Sequence, residues 1–61
     1  MEMGEKALTY HKICLIIDSC ESFDQLRDPI TKLIVLFINK YKDYDMADEL
    51  DYLRNQKRLE L

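Results

Sequence analysis

Glycine and proline occur once each, as Gly4 and Pro29, in a chain of 61 residues. So few turn formers leave no glycine-rich loop to cradle a phosphate and no signal for a hairpin between strands. Cysteine is nearly absent too, with only Cys14 and Cys20. On a helix these two lie roughly 120° apart around the axis and face different ways, which makes them a poor intrachain disulfide. The lone histidine, His11, stands three residues before Cys14, but structural zinc takes four ligands and a second pair is missing. Both cysteines therefore read as small buried apolar residues rather than metal ligands.

Long apolar runs are missing as well. The longest, "ICLII" (13–17) and "LIVLFI" (33–38), fall far short of the roughly 20 residues that cross a bilayer. Positive charge is not concentrated anywhere: the net charge is −3, and the nine Lys and Arg residues are interleaved with acids. This excludes a general binder of phosphate backbones, and no segment presents basic and amide residues together as a DNA-recognition helix does. The opening "MEMGEKALTY" carries Glu2 and Glu5 and lacks the apolar core of a signal peptide. Met1 and Met3 are both candidate starts. The expectation is one cytoplasmic domain, residues 1–61, with reduced thiols, no cofactor, and neither nucleic acid nor membrane as a partner.

What the chain does have is helical periodicity in three segments. From Glu5 to Ser19 or Cys20, the residues Ala7, Tyr10, Ile13, Cys14, Ile16, Ile17 and Cys20 occupy one half of a helical wheel. Leu8 and Leu15 lie on the other half, seven residues apart and nearly superimposed, and form a second apolar seam beside His11 and Lys12. In the second segment two helix starts compete. Ser22 with Gln25 is a capping box, whereas Asp28 with Pro29 offers a cap followed by a residue suited to the first helical turn. Phe23, Leu26, Ile30, Leu33, Ile34, Phe37, Ile38 and Tyr41 share one arc of about 140° if the helix runs through, so the periodicity predicts a single helix from Ser22 to about Lys42, bent near Pro29. Val35 and Leu36 fall outside that arc, on opposite sides of it.

The third helix is expected to start with Asp45 as its cap. Asp48 and Glu49 load its first turn and Arg54, Lys57 and Arg58 its end, which complements the helix dipole. Met46, Ala47, Leu50 and Leu53 form its narrow apolar stripe, extended by the Lys57 stem, and the tail beyond Leu59 is expected to fray. The segments "KICLIID" and "KLIVLFI" are rich enough in β-branched residues for buried strands, but the second stripe persists over 19 residues. The fold expected is all-α, a helical hairpin plus a C-terminal helix.

A chain this short buries only about 60% of the surface its unfolded form exposes, so it needs a staple. With disulfide and metal set aside, partner subunits remain, and Leu8, Leu15, Val35 and Leu36 are the expected interface of a homo-oligomer. Catalytic chemistry has little to work with. Cys14 and His11 on one helix give a nucleophile and base no oxyanion donors and no pocket, so no enzyme is expected. "DYDMADELD" (43–51) holds five carboxylates, yet a calcium loop needs a glycine and a terminal bidentate Glu that are out of register here. Helix capping explains these acids better. If subunits met through the Leu8 and Leu15 seam, symmetry would repeat Tyr10, His11, Lys12, Arg27 and Lys32 around an axis, and that set could hold a small anion such as a nucleotide.

The run "IIDSCESFDQL" followed by "LIVLFINKY" resembles small helical proteins encoded by large tailed bacteriophages. Its bearers are Ile16, Ile17, Cys20, Ser22, Gln25, Leu26, Ile34, Phe37, Lys40 and Tyr41, covering the middle third of the chain, and Pro29 departs from the pattern. The resemblance implies interference with a host protein or host signal, and it carries over no catalytic residue. Two functions follow as expectations. One is an inhibitor or adaptor that binds a host protein through an apolar helix face or the acidic 43–51 surface. The other is an oligomer that sequesters a small anionic signal, such as a cyclic nucleotide, between subunits.

Overall fold

Helix formation begins directly after Gly4. The computed structural model describes residues 4–61, and the two candidate starts, Met1 and Met3, lie outside the described residues. The first helix, α1, spans Glu5–Ser19 and stops where Ser19 and Cys20 turn their side chains onto the Ile16 carbonyl, at 2.8 and 3.3 Å. Such side chains offer the backbone an alternative to continued helix.

Both competing starts in the middle segment are used. Ser22 caps a one-turn helix, α2 (Phe23–Leu26): its Oγ accepts from the Gln25 N–H at 3.4 Å, and Gln25 Oε1 accepts from the Glu21 N–H at 2.6 Å. The chain then breaks at Arg27, with φ −76° and ψ −97°, and restarts as α3 (Asp28–Tyr41) with Pro29 in its first turn. The expected continuous, bent helix is thus replaced by two. The cause is Pro29, which has no N–H to donate, whose ring would meet the Gln25 carbonyl, and which restricts Asp28. Arg27 serves both pieces, since its N–H closes α2 on the Phe23 carbonyl and its carbonyl accepts from Thr31, each at 3.0 Å. Because Leu26 and Ile30 are four apart on either side of the break, both stay buried, but Phe23 does not. It is 51% exposed, against the expectation that placed it in the core arc.

Lys42 ends α3 in the left-handed region, φ 55° and ψ 27°, its N–H donating to the Ile38 carbonyl at 2.8 Å. Only Lys42 and Asp43 separate α3 from α4 (Tyr44–Glu60), so the two form a tight helical hairpin. The cap of α4 is Asp43, not Asp45: Asp43 Oδ1 accepts from the Met46 N–H at 3.1 Å. The left-handed turn at Lys42 brings the chain to Asp43 in extended geometry, and Asp45 already lies inside the first turn. The helix continues to Glu60, one residue past the point where fraying was expected.

Three long helices therefore pack around Ile13, Ile17, Cys20, Leu26, Ile30, Ile34, Phe37, Ala47 and Leu50, with Tyr10, Cys14, Leu33, Ile38, Tyr41, Met46 and Leu53 partly covered against them. Phe37 and Tyr41 set their rings 5.0 Å apart, tilted by 52°. No polar side chain among the described residues is buried. Ile16, expected on the core half of α1, is 42% exposed, because the core centres on Ile13 and Ile17 and leaves Ile16 facing α3's flank. No described helix is long and apolar enough to cross a membrane.

Candidate binding surfaces

The residues expected to hold an anion separate into different places in the single chain. Tyr10 lies at the seam of α1 and α4, where its hydroxyl donates to Glu49 at 2.9 Å. Burial, reinforced by that carboxylate, pushes its pKa well above the ordinary value. A phenol already serving an acid is a poor recogniser of anions. His11 and Lys12 are exposed on α1, and Lys12 borders a groove between α1 and α3. Lys32 sits on the outer face of α3 beside Thr31, Val35 and Leu36. Arg27, at the break, belongs to a third place, a cleft it shares with Arg54 and Arg58.

The four expected interface residues are all exposed. Leu8 and Leu15 point outward from α1, and Val35 and Leu36, roughly 100° apart, lie on the outer side of α3, one beyond each edge of its buried arc. Leu36 borders the α1–α3 groove, and Val35 borders a depression between α3 and α4 formed with Ile38, Ala47 and Asp51. The α1–α3 groove has a volume of about 310 Å³. Its floor is Ile13 and Phe37, its walls are Ile16, Leu33 and Leu36, and its rim carries Lys12 and Lys40 with no acid lining it. Thr9 Oγ1 and the Tyr41 hydroxyl meet at 3.1 Å at one end, where Lys40 also pairs with Glu5 at 2.6 Å.

The chemistry-bearing groups elsewhere are spoken for. Cys14 is half-buried beside Tyr10, and burial pushes its thiol pKa up, away from the reactive thiolate. In the acidic stretch, Asp43 caps α4 and accepts from Lys6 at 2.7 Å, which holds its carboxyl below the ordinary value. Glu49 accepts from Tyr10, and Asp51 pairs with Arg54. Among the described residues no three His, Cys, Asp or Glu side chains converge as metal ligands would.

Sequence reasoning gave Arg54 and Arg58 to the helix dipole and missed their meeting with Arg27. Their four-residue spacing puts both on one face of α4, which was a usable signal. What no spacing reports is that the break at Arg27 would be carried to the same cleft. Comparison of the chain with protein-family models, with curated proteins and with solved structures returns no match.

Proposed function

We propose that the protein is a small helical binding module, an inhibitor or adaptor that acts by occupying another protein, with the α1–α3 face as its docking surface. One observation carries this reading: Ile16 and Leu36 stay exposed around an apolar groove, at 42% and 63%, while the core closes without them. Contiguous exposed apolar surface rimmed by charge marks interaction sites. The groove runs between two helices, the geometry in which an amphipathic helix lays its apolar face. Lys12 and Lys40 on the rim, with Lys32 nearby, select an occupant whose apolar stripe is bordered by acids. The acidic 43–51 surface is the weaker candidate, since Asp43, Glu49 and Asp51 are engaged within the molecule.

In this reading the protein is not an enzyme, and the partner belongs to a bacterial host, as the phage-like resemblance implies. An oligomer trapping a small anion at Tyr10, His11, Lys12, Arg27 and Lys32 draws less support, because Tyr10 serves Glu49 and Arg27 lies in a different cleft from Lys12.

The test is fluorescence anisotropy with two labelled helical peptides that share a leucine stripe, one bordered by Glu and the other by Lys. The Glu-bordered peptide should bind and the Lys-bordered one should not. Leu36→Glu should weaken binding by about 2 kcal/mol or more, roughly thirtyfold, with an unchanged far-UV spectrum. Equal binding of both peptides, or unaltered binding by the variant, overturns the reading. Native mass spectrometry adds the third outcome: a multimer that Leu36→Glu converts to monomer gives the face to a second copy instead of a foreign protein.

A further inference from the structure

The cleft at the joint of α2 and α3 plays no part in the docking face. Its volume is about 240 Å³, and Arg27, Arg54 and Arg58 all line it, with Thr31 and Phe23 beside them. Two like charges four residues apart on one helix repel, and a third brought in by the chain break adds to that. The protein cancels them only in part, through the pairing of Arg54 with Asp51. Arg27 and Arg58 form no ion pair among the described residues. Asp28 is the one carboxylate in the lining, set against three cations.

Arg54 is fixed in place: one guanidinium nitrogen donates to Thr31 Oγ1 at 2.6 Å and another pairs with Asp51. A guanidinium has five N–H donors, so a held Arg54 still has donors to offer. The amino end of α3 opens at the same joint and contributes its own positive potential. All three cations are arginines, whose planar forks match the oxygens of a phosphate better than the point charge of lysine does. The cleft is smaller than the roughly 300–1,000 Å³ of sites that enclose whole ligands, so it suits one phosphate and the group next to it. At its edge the half-exposed ring of Phe23 presents an aromatic face.

We propose that this cleft binds the phosphate of a small aromatic phosphate ester, with Arg27, Arg54 and Arg58 on the phosphoryl oxygens and the Phe23 ring stacked on the ligand's ring. The site is complete within one subunit and independent of the docking groove.

Phenyl phosphate titrated into the full-length ¹⁵N-labelled chain at constant ionic strength tests it, with inorganic phosphate, phenol and chloride as comparisons. Saturable shifts are expected at Phe23, Arg27, Thr31 and Arg58. R27Q and R58Q should each weaken binding about tenfold or more, since a hydrogen bond to a charged group is lost. Both side chains are exposed, so the fold should persist, and R58Q, on α4 and outside the backbone of the break, stands alone as the test if R27Q disturbs it. F23A should weaken phenyl phosphate while sparing inorganic phosphate. Shifts that never saturate, that chloride reproduces, or that fall instead on Lys12, Ile16 and Leu36 overturn the site, as does wild-type affinity in R58Q. Equal weakening of both phosphates by F23A overturns the stacking role.

Discussion

Ile30 and Leu36 are isomeric side chains on the same helix, one fully buried and the other 63% exposed. Replacing each by alanine separates what holds the protein together from what it offers to a partner. At typical values per residue, a chain of 61 residues has about 3–9 kcal/mol of total stability. Ile30→Ala removes buried methyl groups and leaves a cavity, at about 2–5 kcal/mol, so it takes a large fraction of that total. Full burial of a leucine is worth about 1.5–3 kcal/mol, and Leu36 is roughly one-third covered, so Leu36→Ala should cost about 0.5–1 kcal/mol. Urea melts followed by far-UV circular dichroism read the difference. With a slope of about 1 kcal/mol/M, Ile30→Ala should lower the midpoint by about 2 M or unfold the chain outright, and Leu36→Ala by less than about 1 M. Yet only Leu36→Ala should weaken peptide binding while leaving the protein folded. Comparable losses in the two variants would refute the reasoning. A loss at Leu36 that grows with protein concentration would mean that a second copy covers it.

The left-handed residue Lys42 invites Lys42→Gly, which relieves its Cβ clash and should raise stability by about 0.5–1 kcal/mol; a lowered urea midpoint would contradict that account. Stability should also depend on pH at both extremes. Cys14 and Tyr10 have raised pKa values, so their contribution is complete below the ordinary values of 9.0 and 10.0 and is lost as pH climbs through the folded ones. Glu5, held low by Lys40, and Asp43, held low by Lys6, act in the opposite direction: what they contribute is present above 4.5 and 3.8 and fades as pH falls. Calorimetry from pH 3 to 11 should show a plateau with two falling arms, and Cys14→Ala should delay the onset of the alkaline arm. An alkaline arm unmoved by that substitution would exclude the thiol as its source.

Much of the fold was legible because helical phase survives in sequence. The extent of α1, the narrow stripe of α4 and the exposure of Val35 and Leu36 beyond the two edges of the buried arc all follow from 100° steps along the chain. The break at Arg27 was not legible from phase, since Leu26 and Ile30 sit four apart whether or not the helix is continuous. The capping signals of Ser22 and Asp28 were each present, and treating them as rivals hid that both operate. Asp43 was passed over for Asp45 because the left-handed turn at Lys42, on which the cap depends, has no glycine to announce it. Ile16 and Phe23 were assigned to the core from wheel position alone, which says nothing about how many neighbours a helix has on that side. The arginine cleft needed tertiary structure, because Arg27 lies at the break between α2 and α3 and Arg58 lies on α4.

The absence of buried polar side chains among the described residues means that the core is indifferent to register: aliphatic groups can interdigitate in several ways at similar energy. The polar pairs at the rim make the choice. Thr9 with Tyr41 and Glu5 with Lys40 join α1 to α3, Tyr10 with Glu49 joins α1 to α4, Lys6 with Asp43 ties α1 to the α3–α4 turn, and Arg54 with Thr31 joins α4 to α3. Each is weak in water, but together they act as addresses, telling helices that would otherwise slide where to stop.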